Sequence, residues 1–177
     1  MDALAVLDRQ VARLTKAIRL LWEQGDEGVL PALILVFATI DGLAWLQRRN
    51  RTGDSDGADF QKWVQLYIPP GWNPLVTPET LWVARCALLH AEAAESRLRR
   101  KGVVSEIWYQ WKDTGLLPAG ANPPTLPILV HPELLILALN DGIEHFRRAI
   151  DSDSQLREQV EEQATKLWTP VLYPPEP

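Results

Sequence analysis

Residues 29–46 read VLPALILVFATIDGLAWL, with Asp41 as the single charged side chain. A helix that is apolar almost all round belongs at the centre of a helical domain. The run is nearly long enough to span a bilayer, which takes about 20 predominantly apolar residues. Asp41 sits well inside it, Thr39 lies close by, and Pro31 stands at its start. An unpaired carboxylate in lipid is costly. The reading is therefore a buried helix of a soluble bundle. It starts near Val29, tolerates Pro31 in its first turn, and reaches about Arg49.

The flanking segments supply what such a helix must pack against. Leu4, Leu7, Val11, Leu14, Ile18 and Leu21 recur at spacings of three and four, with Arg9, Arg13, Lys16 and Arg19 between them. That is an amphipathic helix with a narrow apolar seam, which Gly25 and Gly28 should end. Asp59 suits the cap of a third helix carrying Phe60, Trp63, Val64, Leu66 and Tyr67. Thr77-Pro78 opens a fourth, with threonine at the cap and proline at the first helical position. After Gly102 the period becomes two: Val103, Ile107, Tyr109 and Trp111 alternate with Val104, Glu106, Trp108 and Gln110. This predicts a strand. Ile128-Leu129-Val130 reads as its return partner across a Pro/Gly-rich loop, making a small two-stranded β-hairpin. Pro132 begins a helix whose face is Leu135, Leu139, Ile143, Phe146 and Ile150, and Ser152 or Ser154 can cap a last one ending near Trp168. The fold class is mainly α, a helix bundle with a hairpin appendage, as one domain over 1–169 and a proline-rich tail over 170–177.

Composition narrows the function. The 177 residues carry a formal net charge of −5, which excludes a broad basic coat for nucleic acid but not a local patch. Cys86 is the single cysteine and there are 3 histidines, so neither a disulfide framework nor a multi-cysteine metal site can form. Asp2, Asp8, Arg9 and Arg13 interrupt the first residues, so no secretory signal is expected and a cytoplasmic location is. Phosphate-loop, dinucleotide-binding, zinc-protease and serine-hydrolase motifs are all missing.

The chemistry concentrates in residues 81–101, LWVARCALLHAEAAESRLRRK. Arg85 and His90 stand five apart. Arginine offers a permanent cation whose planar fork matches phosphate oxygens, and histidine exchanges protons near neutral pH. Such a pair suits a phosphodiester, and RNA carries its own nucleophile in the 2′-hydroxyl. On a regular helix the two would point about 140° apart. They converge through a bend near Leu89, through the reach of Arg85, or with help from a second copy.

This segment resembles the HEPN superfamily (higher eukaryotes and prokaryotes nucleotide-binding), small helical domains among which are metal-independent endoribonucleases with an R-x4-6-H motif. Arg85 and His90 match that motif. The order of ILVFATIDGLAWL, DFQKWVQLYI and LWVARCALLH is similar to a bacterial branch with an acidic residue in the buried second helix, which would be Asp41. The similarity covers about Val29 to Arg97. It departs at Cys86, where many such nucleases have a polar residue after the arginine, and at Glu92, where some carry a tyrosine modified by a partner enzyme. The resemblance implies a homodimer that faces two motifs across one site, with His90 as acid or base, Arg85 stabilising charge on phosphorus, and Asp41 orienting one of them. It implies RNA as substrate, no cofactor and no metal. It also implies a toxin–antitoxin or phage-defence setting in which an antitoxin partner restrains the enzyme.

Other residues carry weaker signals. Arg97, Arg99, Arg100 and Lys101 lie just past the motif and are candidate contacts to the RNA backbone, with Arg48, Arg49 and Arg51 as a weaker set. A charge run is more often a solvated face. Cys86 reads as a small buried residue, His131 as a helix-start residue, and His145 as a partner for Asp141 one turn away. Asp41, if buried, needs a cation, with Arg85 or His90 the first choices. The competing function is a non-catalytic helical dimer that binds a protein through its first-helix seam, or a nucleotide.

Overall fold

The computed structural model describes residues 3–48, 57–89, 107–110 and 128–167. Within them run α1 (Ala3–Trp22), α2 (Asp26–Leu46), α3 (Gly57–Tyr67), α4 (Pro78–Leu89), β1 (Ile107–Tyr109), β2 (Ile128–Val130), α5 (Pro132–Ser152) and α6 (Ser154–Leu167). The described chain is mainly helical with a small two-stranded sheet.

Helix α2 is the axis, as its all-round apolarity demands. It packs against every other described helix, and Val36, Phe37 and Ile40 are wholly buried. Thr39 is also buried, and its Oγ1 donates to the Leu35 carbonyl at 2.7 Å, so its hydroxyl is satisfied within the helix. Around it an aromatic layer closes the core. Phe60 packs between Phe37 and Trp82, and Trp63 meets Phe146 edge-on at 6.1 Å. Phe37, Phe60, Trp63 and Phe146 are fully buried, and each contributes about 1.5–3 kcal/mol or more through burial. The α5 face read from the sequence is buried at Leu135, Leu139, Ile143, Phe146 and Ile150.

Several local expectations need correction. Gly28 does not end a helix; it lies inside α2, which starts at Asp26. The break is Gly25 alone, at φ 66°, a conformation glycine adopts without cost. Asp26 and Glu27 then place negative charge in the first turn of α2, where the helix dipole favours it. A Cβ on Gly28 would collide with the Leu21 carbonyl, so this position must stay bare for the α1–α2 turn to close. Asp59 is not a cap either. It falls in the first turn of α3, and its carboxylate meets Arg48. The cap of α6 is Asp153, whose Oδ1 accepts from the amides of Gln155 and Leu156, and neither Ser152 nor Ser154 takes that place. The threonine reading holds: Thr77 Oγ1 accepts from the Thr80 amide at 3.1 Å and α4 begins at Pro78.

The strands are not a hairpin. Ile107, Trp108 and Tyr109 pair with Ile128, Leu129 and Val130 in parallel. A hairpin needs only a tight turn, whereas a parallel pair needs a crossover of about a dozen residues or more. Residues 110–127 supply that length. Val130 is buried and Leu129 exposed, so the ladder turns one face to the helices.

Candidate functional site

Thr77 and Pro78 set the start of α4 and therefore its phase. Leu81 and Ala84 face the core, which leaves Arg85 at the border of the buried face. Asp41 reaches the same border from the middle of α2. The two helices touch, and the side chains meet there. Arg85 Nη2 lies 2.7 Å and Nε 2.8 Å from Asp41 Oδ2. One carboxylate oxygen thus accepts two charge-assisted hydrogen bonds from one guanidinium. The side chains remain 18% and 16% exposed, so the pair is not sealed from solvent.

A second support comes from within α4. The Arg85 guanidinium carbon sits 5.0 Å above the Trp82 ring. Residues three apart on a helix are neighbours, and a cation over an indole face is attracted by the ring quadrupole. Trp82 was not singled out by motif reading. Its signal was present, an aromatic three residues before a motif arginine. Trp82 is itself seated on Phe60, and a Cβ on Gly57 would strike its ring. The arginine is therefore held from below by an aromatic that the core fixes, and from the side by an acid on the central helix.

Cys86 follows Arg85 and is half-buried rather than buried. Burial pushes its thiol up from the ordinary value, and the Arg85 contact offsets this only in part. The thiol stays protonated and is a poor nucleophile, in keeping with a packing role.

Other candidates fall away from this site or beyond the description. Arg48 is buried and its Nε stands 2.9 Å from Asp59 Oδ2, an ion pair inside the fold. It is part of the fold's interior, not an open phosphate contact. Arg49 and Arg51 lie outside the described residues, as do His90, Arg97, Arg99, Arg100 and Lys101. His131 precedes α5 as read, with its ring edge-on to Trp22 at 6.0 Å. His145 does not pair with Asp141; its Nδ1 reaches the Tyr67 carbonyl at 2.8 Å and ties α5 to the end of α3. Among the described residues no three His, Cys, Asp or Glu side chains gather as metal ligands.

No protein-family model matches the chain, and neither a curated protein nor a solved structure matches it significantly.

Proposed function

We propose that this protein is a metal-independent endoribonuclease of the HEPN type that cuts single-stranded RNA as a homodimer. The observation that supports the reading is the Asp41–Arg85 pair. A long-range carboxylate and an aromatic face hold a partly exposed guanidinium at a fixed place, five residues before His90 in sequence. A guanidinium so oriented suits a phosphate whose charge grows during reaction.

The reaction balances without an outside reagent. A base removes the proton of the ribose 2′-hydroxyl, and that oxygen bonds to phosphorus. The bond from phosphorus to the 5′-oxygen breaks, and an acid returns a proton to the leaving oxygen. The products are a 2′,3′-cyclic phosphate and a 5′-hydroxyl. His90 and the partner's His90 serve as base and acid, and such proton transfer is worth about 10²–10⁴-fold in rate. Arg85 stabilises the extra negative charge, and Asp41 positions Arg85. Arg97, Arg99, Arg100 and Lys101 hold the RNA backbone. The biological setting in this reading is a toxin or phage-defence effector restrained by an antitoxin.

The test is incubation of the purified protein with several single-stranded RNAs in EDTA at low salt, beside a His90→Ala version. Cleavage to cyclic-phosphate ends by the natural chain alone is the expected result. Equal inactivity of both across all RNAs would favour the non-catalytic helical module instead.

A further inference from the structure

Helices α1 and α5 run antiparallel and are pinned at both ends. Near one end the Arg147 guanidinium binds Asp8; at the other Trp22 rests on His131. Between the pins they do not fill the space, and a groove of about 600 Å³ remains. Lys16, Arg19 and Trp22 line its α1 wall; Glu133, Ile136, Leu137 and Asn140 line the other. Leu137 is 53% exposed, and Leu134, one turn before it, is also exposed. Large apolar side chains left in a concave surface mark a contact region.

The charge on the rim is selective. Arg9, Arg13, Lys16 and Arg19 follow one another at spacings of four, three and three, so they form one exposed stripe along α1. The sole acid of α1, Asp8, is engaged by Arg147. Arg19 also meets Glu23, but both side chains are well exposed and such pairs are worth little. One exposed acid, Glu133, stands on the facing wall, against the four cations of α1. A protein of net charge −5 thus still presents an excess of positive charge along the α1 edge of an apolar trough.

We infer that this groove is the docking site for an acidic amphipathic helix of a partner protein, its apolar face seated against Leu137 and Ile136 and its carboxylates against Lys16 and Arg19. A helix laid in an apolar groove is a recurrent recognition mode. A second copy of this chain is the poorer occupant, because a two-fold contact sets the same patch on itself and would oppose like charges. An RNA strand would engage the cations and leave Leu137 uncovered. The inference stands apart from the ribonuclease reading and survives its failure.

The probe is a fluorescein-labelled designed helical peptide with leucines at i, i+3, i+4 and i+7 and glutamates on its flanks. A version with lysine for glutamate, a scrambled version and a labelled oligouridine serve as comparisons, all read by anisotropy. The glutamate peptide should bind at least about tenfold more tightly than the lysine and scrambled peptides. Leu137→Asp should weaken it about tenfold, and Lys16→Glu with Arg19→Glu should reverse the preference toward the lysine peptide. All three positions are exposed, and the charge-reversal pair carries the test should Leu137→Asp fail to fold. Equal affinity for both charged peptides would overturn the inference. So would binding indifferent to Leu137, tighter capture of oligouridine than peptide, or a dimer that Leu137→Asp splits in sedimentation.

Discussion

Arg85 is restrained by two partners of different kinds, and each can be removed separately. Asp41→Asn keeps the shape but removes the charge, and loss of a charge-assisted hydrogen bond costs about 1.5–3 kcal/mol, to be read from urea unfolding. In the ribonuclease reading Arg85→Lys, which loses the planar fork, lowers kcat by about 10²–10³-fold with a smaller change in KM, measured on a defined RNA. The Asp41 partnership was legible from the rule that a carboxylate in an apolar helix needs a cation, even across the long separation from Arg85. The Trp82 platform was not, because motif reading looks for donors and acids and passes over the surface beneath them. A second residue offers a cleaner stability test. The Tyr109 hydroxyl is buried and has no hydrogen-bond partner among the described residues, and burial pushes its ionisation well above the ordinary value. The folded state then holds the phenolic proton more firmly than the unfolded chain does. Stability from this source is level below about pH 10 and falls as pH rises beyond it. Tyr109→Phe should raise stability by about 1–3 kcal/mol and flatten that alkaline fall, as read from urea midpoints between about pH 9 and 11.

At the scale of elements, periodicity carried the helices and most of their buried faces, with Leu66 of α3 exposed instead, and capping chemistry located α4 from Thr77 and Pro78. What failed was the choice between equivalent local signals. Gly25 and Gly28 look alike in sequence, yet one sits at positive φ and the other is needed because the Leu21 carbonyl stands where its side chain would be. Serines and an aspartate compete for the start of α6, and Asp153 wins with two amides on one oxygen. Strand direction was illegible for a deeper reason: a period of two is the same read forward or backward, so alternation cannot tell a parallel ladder from an antiparallel one. The glycine correction makes a direct prediction. Gly28→Ala should destabilise by about 1–3 kcal/mol or more, since backbone rather than a yielding side chain is the obstacle. Thermal melting monitored by circular dichroism checks it, with Gly42→Ala as the comparison, because a Cβ there meets nothing within 4 Å.

For the whole molecule, the decisive feature is the place of α2. Alone among the described helices it is long and apolar enough to cross a membrane, yet over half of its most apolar window is buried against the rest of the fold. The composite-site reading adds a requirement on assembly. If two copies build one site, the protein should sediment as a dimer and its Tm should rise with protein concentration. A monomer at all concentrations would remove the two-histidine arrangement while leaving the fold as described. One property of the molecule follows from the direction of its ladder. β1 and β2 run the same way, so the chain leaves β1 at one end of the ladder and must enter β2 at the other. A link cut down to a tight turn could not join those two ends. The ladder would come apart, and Val130 would lose its seat against the helices.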